Sequence, residues 1–500
     1  MNESVKNFYS DNHRLKIAAY RGGYLPNERR KIEAGLRDGS IAGVVSTNAL
    51  ELGIDIGGLD ASVMAGFPGT ISSAWQQAGR AGRSSSVSLS ILIASASPID
   101  QYIIQHPEYF FGKSPESGWV DADNIYILLD QLKCAAFELP FKDGELFHSN
   151  VDEFLNYLEE NGILRHAGQK WYWSDRSYPA ENVSLRTSTP ENVVIVNTAS
   201  GRNEVIGEMD LSSAKFMLYK GAVYMHQGDR YIVKELDLEN HRCYIEDSKE
   251  NYYTDSIVKT DIKMLNQDDV SMHGGVECIE GDVLVRSQAT KYKKLKYHTH
   301  ENIGYGEINL PADEMHTRAV VLVFRESSMV GKVFAEIAEA LKTEIIQKLG
   351  TLLKNIAPVF LLCDPRDIGI AERVKDTEFA NPCLYIYDRY PGGTGISEGF
   401  LKNIGRIVEG AYELVSGCPC ESGCPSCIGP TSGGFAFIEA GGAGAGGAGT
   451  AGSDDAGSMG PDAADNMGQG AADNMGEVNI KLMVIDFLRK WMDAWARSNK

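Results

Sequence analysis

Five hundred residues allow roughly three domains at about 150 residues each. Hydrophobic residues at 43% and charged ones at 23% permit sizeable cores and exclude a generically disordered chain. The longest apolar runs, such as Ala357 to Cys363, fall far short of the ~18 residues of a membrane span, and the opening MNESVKNFYSDNHR lacks the apolar stretch of a signal peptide, so the expectation is a cytoplasmic protein with no membrane partner.

The net charge of −20, from 48 basic and 68 acidic residues, argues against a basic nucleic-acid coat, but local patches decide binding. Residues 1 to 120 balance 11 Lys/Arg against 11 Asp/Glu, which places the excess acid downstream. The 9 cysteines are too few for a disulfide scaffold, and four of them crowd into Cys418 to Cys427, which in a reducing compartment reads as metal binding.

In chain order, Leu15 to Tyr20, Gly43 to Ser46, Ala61 to Ala65 and Leu89 to Ala94 read as buried strands, with a charged helix over Pro26 to Asp38. That βαβα rhythm predicts a parallel sheet with helices on its faces. Helical patterns over Ile125 to Phe137 and Asn150 to Glu160 precede ILRHAGQKWYWSD, two strand-like pieces around Ala167-Gly168, and together predict a winged helix. Alternating segments from 180 to 300, such as VVIVNT, AVYMHQ, RYIVKEL and CYIED, predict a β-rich module. One helix is expected over residues 328–354, then strands at VFLLC and CLYIY. Ala440 to Gly476 holds 12 Gly, 10 Ala and 5 Asp in 37 residues, too little apolar surface to offset the entropy of ordering, so a flexible linker is expected. Val478 to Ala496 follows as an amphipathic helix with Val484, Phe487, Leu488, Trp491 and Trp495 on one side, able to dock on the body or to bind a partner.

Two motifs carry most of the functional signal. Val44 to Gly57 reads VVSTNALELGIDIG and Gln76 to Arg83 reads QQAGRAGR. Arg80 and Arg83, three apart beside Gly79 and Gly82, can aim two guanidiniums at the charge of a transferring γ-phosphoryl group. Ser46 and Thr47 end a strand, where hydroxyls can meet a nucleic-acid backbone. A Gly-rich turn with solvated arginines is the plain alternative for GRAGR taken alone.

The second signal is CPCESGCPSC, with Cys418, Cys420, Cys424 and Cys427 spaced C-x-C-x₃-C-x₂-C. Four thiolates within ten residues can close a tetrahedral shell around a structural zinc ion; an iron–sulfur cluster and four free thiols are the alternatives.

STNALELGIDIG and QQAGRAGR, with YRGGYLPNERR upstream, resemble motifs V and VI and the second RecA-like domain of superfamily 2 helicases. The resemblance implies that Thr47 touches the nucleic-acid backbone and that Asp55, with Gly53 and Gly79, lines the nucleotide cleft. It further implies that Gln76 and Arg80 face the γ-phosphate and that Arg83 is the arginine finger. No G-x-x-x-x-G-K-[ST] and no DExH box occurs in the 500 residues, so ATP and Mg²⁺ are expected only with a complementing domain. The family's leading strand with motif IV is also expected to be missing, and no ATP hydrolysis is expected of this chain alone.

THENIGYGEINLP at Thr299, LYIYDRYPGGTGISEGF at Leu384 and the cysteine cluster resemble the zinc-binding C-terminal domain of MrfA-like repair helicases. That family resemblance implies an ATP-dependent 3′-to-5′ DNA helicase acting in repair on single-stranded or 3′-tailed DNA, with an N-terminal ATP-binding half as partner. The alternative is a non-enzymatic DNA-binding or scaffold protein. The expected α/β organisation is an incomplete RecA-like domain (1–117), a winged helix (118–178), a β-rich module (179–300), a zinc-binding domain (301–438), the linker (439–476) and the terminal helix (477–500).

Weaker signals complete the reading. Trp171 and Trp173 on the wing are candidates for base stacking, with core packing as the alternative. KYKKLKY offers Lys293 and Lys294 among tyrosines, suited to single-strand binding or to a solvated edge strand. PGGTG (391–395) is either a phosphate loop or, more in keeping with its missing lysine, a tight strand-to-helix turn.

Overall fold

The structure, a computed structural model, describes residues 16–51, 54, 56, 59–82, 87–116, 118–147, 151–183, 191–199, 201, 203–429 and 479–498. The expected linker lies outside them.

The first unit alternates strand and helix as its sequence predicts. Strand β1 (Ile17–Tyr20) pairs in parallel with β2 (Gly43–Ser46), and β3 (Ala61–Ala65) pairs in parallel with β4 (Leu89–Ile93). Helix α1 (Pro26–Asp38) connects the first pair; proline fits its first turn, where amides lack helical partners, and Gly39 ends it at φ 78°. Helix α2 (Ile71–Ala78) connects the second pair, and the short helices α3 (Pro98–Gln105) and α4 (Pro107–Gly112) follow. The sheet is present as two parallel pairs, not as one continuous sheet. Leu89, Ile91 and Ile93 share one face of β4 at period two and remain exposed.

The winged-helix expectation holds in its elements. Helix α5 (Ile125–Glu138), strand β5 (Phe141–Lys142) and helix α6 (Val151–Glu160) lead into a hairpin of β6 (Leu164–Ala167) and β7 (Lys170–Trp173), turned at Gly168 with φ 68°. Leu128, Leu132 and Ala136 of α5 pack on Val151, Leu155 and Leu158 of α6, the i, i+3 and i+4 spacing that one buried helical face requires.

A five-stranded sheet comes next, built from β8 (Asn192–Asn197), β9 (Glu204–Asp210), β10 (Val223–His226), β11 (Asp229–Asp237) and β12 (Arg242–Asp247), with helix α7 (Leu211–Met217) beside it. The second large sheet begins with a long hairpin, β13 (Tyr252–His273) and β14 (Val276–Lys296), joined by β15 (Asn302–Glu307), β16 (Asp313–Val323), β17 (Ile368–Arg373) and β18 (Cys383–Asp388). This sheet runs across residue 300, so strands on both sides of that expected border share one sheet.

Four helices cover one face of it: α8 (Met329–Glu336), α9 (Glu339–Leu361), α10 (Ile396–Gly417) and α11 (Ile480–Ser498). Val320 and Leu322 of β16, and Phe324 just past its end, turn toward these helices, while Val321 and Val323 join the opposite face. Two helices stand where one was expected over 328–354, because Ile337 and Ala338 take extended backbone, ψ 137° and 136°. The expected strand at Val359 to Cys363 is instead the last turn of α9, closed by Leu362 at φ 53°. A short apolar run is equally compatible with a buried strand and a buried helix end, and here Leu352, Leu353, Ile356 and Ala357 continue one buried helical face into it.

The terminal helix docks on the body. Val484, Phe487, Leu488 and Trp491 are at most 1% exposed, and Trp491 Nε1 donates to the His273 carbonyl at 3.1 Å. Gly274 turns the β13–β14 hairpin at φ 61°, and a Cβ there would meet Trp491 at 2.9 Å, so the close approach of the indole requires glycine.

Candidate functional site

The end of β2 places Ser46 and Thr47 at the carboxyl edge of the parallel pair. Ser46 is exposed and its Oγ donates to the Thr47 carbonyl at 2.7 Å. Thr47 is half-buried; its Oγ1 accepts from Ala49 N at 3.4 Å and so caps the short turn Asn48–Leu50. Helix α2 carries the second motif. Thr70 Oγ1 accepts from Ser73 N at 3.0 Å, and the Glu116 carboxylate accepts from the amides of Ile71 and Ser72, so a negative group sits at the positive end of this helix.

The two motifs are fastened to each other. Arg80 donates through Nη1 to the Ile54 carbonyl at 2.7 Å and through Nη2 to the Glu51 carbonyl. The Glu51 carboxylate accepts from Ser73 Oγ at 2.7 Å and from Gln77 Nε2 at 3.2 Å. Backbone bonds tie Leu59 to Arg80 and Gly82 as well. Arg80, expected to face a γ-phosphate, here turns its guanidinium onto carbonyls of the first motif, which are strong acceptors that need a donor when part-buried. Gln76 on α2 stays half-buried and Gly79 is exposed at its end. Gly53, Asp55 and Arg83 lie outside the described residues. Glu51 and Gln77 were not singled out in the sequence, although Glu51 stands inside TNALELGID; what identifies them is the cross-motif hydrogen bonding, which sequence spacing does not reveal.

The wing differs from its expectation in one face. Trp171, expected at nucleic acid, is 6% exposed in the α5–α6 core with its ring on His166, centroids 4.3 Å apart. Trp173 is half-buried and meets Phe137 edge to face at 5.8 Å. Alternation along β7 turns Tyr172 outward instead, at 42% exposure. Lys293 and Lys294 sit on β14 between β13 and β15, inside a sheet and not on its edge. Lys293 stands opposite Asp255, whose pKa burial raises while Lys293 holds it down. Lys294 lies over the Tyr252 ring at 5.3 Å, a cation–π contact.

The loop after β1 contacts the five-stranded sheet. The Gly23 carbonyl accepts from Glu208 N at 3.3 Å, the Tyr24 hydroxyl accepts from Gln227 N at 3.1 Å, and Arg21 lies over the Tyr224 ring. His226 sits among Tyr24, Tyr224, Arg21 and Asp229; burial first and Arg21 second push its pKa down to about 4, with Asp229 opposing. Its Nδ1 is buried without a hydrogen-bond partner among the described residues. The folded state therefore holds this imidazole neutral, whereas the unfolded chain protonates it near pH 6.5. Stability from this residue is full above that value and falls as pH drops toward 4. With about 1.4 kcal/mol per tenfold change in proton affinity, the loss is at most ~3.5 kcal/mol. Urea unfolding of wild type and His226→Gln at pH 7 and pH 4.5 measures it: the wild type is expected to lose more stability than the variant, and parallel losses would remove His226 from the account.

The cysteine cluster forms at the end of α10. Cys418 caps that helix, and the chain then turns so that Sγ atoms lie 3.5 Å apart for Cys418–Cys420, Cys418–Cys424 and Cys420–Cys427, and 3.7 Å for Cys424–Cys427. All four ligand atoms fall within 4.8 Å of one another. Cys424 N donates to Cys427 Sγ at 3.4 Å, and Gly429 N closes the turn onto the Cys424 carbonyl at 3.0 Å. Gly423 adopts φ 124°, a backbone that a side chain would strain. Burial and neighbouring sulfurs push the Cys418 and Cys427 thiols up; for Cys420, hydrogen bonds from Cys418 and Cys427 outweigh its burial and hold it low. A tetrahedral ion with metal–sulfur bonds of about 2.3 Å sets sulfurs roughly 3.8 Å apart, which these spacings match. An iron–sulfur cube places its own iron and sulfide atoms between the cysteines, so sulfurs this close favour one ion.

A parallel α/β unit carrying paired helicase motifs, a winged helix and a tetracysteine domain define a superfamily 2 helicase region. Residues 1–85 match the helicase conserved C-terminal domain, 120–188 the winged helix domain of ATP-dependent helicase HRQ1, and 349–428 the MrfA Zn-binding domain. The chain is 45% identical over 415 residues to the uncharacterized ATP-dependent helicase YprA of Bacillus subtilis, covering 83% of this chain and 55% of that protein. It is 30% identical over 467 residues to ATP-dependent helicase HRQ1 of Saccharomyces cerevisiae, covering 85% of this chain and 41% of that protein. A crystal structure of the DUF1998 helicase MrfA bound to DNA aligns with TM-score 0.63 at 43% identity over 86% of this chain and 57% of that one. A second, bound to DNA and AMPPNP, aligns with TM-score 0.61 at 42% identity over 85% and 55%. These three matched domains and likenesses make the chain similar to the C-terminal region of the MrfA-like helicases. It spans about half the length of the curated relatives it matches. Among the described residues no helix is long and apolar enough to cross a membrane.

Proposed function

We propose that this chain is the DNA-holding and nucleotide-sensing part of an ATP-dependent 3′-to-5′ DNA helicase in DNA repair. Its ATP and Mg²⁺ site is completed by a RecA-like domain with a P-loop and DExH box, in the same polypeptide or on another chain, since residues 1–500 contain neither motif. The observation that carries this reading is the fastening of the two motifs through Arg80 and Glu51, which makes the end of β2 and the helix α2 one rigid face. On that face Thr47 and Ser46 meet the DNA backbone and Gln76, Gly79 and Arg80 serve the nucleotide, joined in that role by Gly53, Asp55 and Arg83 of the same motifs. Lys293 and the exposed Tyr172 add charge and a stacking ring for single-stranded or 3′-tailed DNA. Cys418, Cys420, Cys424 and Cys427 hold a structural zinc ion with no open position, which suits the reducing cytoplasm.

The test combines the 500-residue chain with a P-loop RecA-like domain and measures ATP turnover with and without 3′-tailed DNA. Turnover that appears only in the mixture and rises with DNA is the expected result. Robust DNA-stimulated turnover by the chain alone refutes the need for a complementing domain. One feature favours a second reading, a non-enzymatic DNA-binding scaffold: Nη1 and Nη2 of Arg80 each donate to an internal carbonyl. DNA binding without any turnover in the mixture would establish it.

A further inference from the structure

The terminal helix reaches the cysteine loop as well as the core. At its start Asn479 Nδ2 donates to the Glu421 carbonyl at 2.9 Å. Lys481 is 5% exposed, and its Nζ donates to the carbonyls of Cys418 at 2.7 Å and Cys420 at 2.6 Å. No carboxylate among the described residues lies within 4.0 Å of that ammonium. Burying a cation without an opposite charge is unfavourable, yet this one is placed against the backbone of two of the four clustered cysteines. A divalent ion held by four thiolates carries a net charge of about −2, so an ammonium beside the loop has a compensating charge once the ligands ionise. The Cys418 carbonyl also belongs to the C-terminal end of α10, which attracts cations.

We infer that Lys481 is the counter-ion of the metal centre: a positioning residue whose charge strengthens metal binding and whose helix, returning after residues 430–478, closes over the loop. This rests on the reading of the four cysteines as a zinc site. Ligand-supporting residues of this kind typically change metal affinity by roughly 10- to 100-fold when replaced.

The experiment titrates the full zinc-loaded chain with a chromophoric chelator at neutral pH, comparing wild type with three variants. Lys481→Gln keeps a donor for the two carbonyls and removes the charge; Lys481→Arg keeps the charge; Asn479→Ala cuts the neighbouring helix–loop bond and leaves the charge in place. The expected result is a roughly 10- to 100-fold weaker hold on zinc in Lys481→Gln, with Lys481→Arg and Asn479→Ala near wild type. Lys481→Gln binding zinc as tightly as wild type overturns the inference, and so does Asn479→Ala losing as much as Lys481→Gln, which would make helix docking the cause. A wild-type chain that holds no zinc refutes the metal-site reading itself, a result distinct from both.

Discussion

Asp388→Ala is expected to destabilise the chain by about 3–5 kcal/mol, the range for stranding partners of a buried charge. The side chain is 0% exposed and serves as the internal anion of the PGGTG turn. Its Oδ2 accepts from Thr394 N at 2.6 Å, Thr394 Oγ1 at 3.2 Å, Gly395 N at 2.9 Å and Ile396 N at 3.2 Å, and its Oδ1 accepts from Ser397 N at 2.8 Å. These amides open α10, a 22-residue helix whose positive end meets the carboxylate. Gly392, Gly393 and Gly395 at φ 75°, 85° and 87° give the turn the shape that aims the amides inward. Alanine leaves them buried without an acceptor, at about 1–3 kcal/mol each and not additively. Asn124 Nδ2 donates to the Pro391 and Gly393 carbonyls at 2.8 Å, so a loosened turn also loosens the start of the winged helix. Urea unfolding measures the loss; Asp388→Asn, which keeps acceptor oxygen, is expected to lose less than Asp388→Ala. A shift below about 1 kcal/mol in the alanine variant would mean that water replaces the carboxylate.

That turn shows how much was legible beforehand. PGGTG without lysine reads as a strand-to-helix turn, and it is one; its occupant, an aspartate from the preceding strand, sits outside the motif and is visible only once β18 and α10 are set side by side. The parallel α/β rhythm, the winged helix and the tetracysteine spacing follow from local periodicity and composition, and the structure has each of them. Readings that depended on which face a strand turns inward were less secure. Trp171 and Trp173 alternate with Tyr172, and pattern alone assigns neither side to the core; contact with His166 and α5 decides it. Val359 to Cys363 failed for want of length, since five apolar residues carry no period. The docking of the terminal helix was undetermined because its partner surfaces, the β13–β14 turn and the cysteine loop, are distant in sequence and meet it only in the fold.

The inward bonds of the Arg80 guanidinium are not visible in the motif, and replacements of Arg80 and Arg83 are expected to separate. In the reconstituted ATPase, Arg83→Ala is expected to lower turnover roughly a thousandfold or more, the scale on which an arginine finger stabilises charge on a transferring phosphoryl group, while leaving thermal stability and DNA affinity unchanged. Arg80→Ala acts first on the fold. It removes the donors for the Glu51 and Ile54 carbonyls and leaves Glu51's carboxylate bonds and the backbone bonds at Leu59 to hold the first motif against the second. Hydrogen bonds from a charged donor contribute about 1.5–3 kcal/mol each, so a lower melting temperature is expected together with the lost turnover. DNA affinity is expected to fall in the same variant, because Thr47 caps the turn that leads directly into that loop. Turnover, melting temperature and DNA affinity measured on both variants decide the assignment. If Arg83→Ala turns over like wild type while Arg80→Ala loses activity without losing stability, the finger is Arg80, and the inward bonds seen for its guanidinium must open when nucleotide binds.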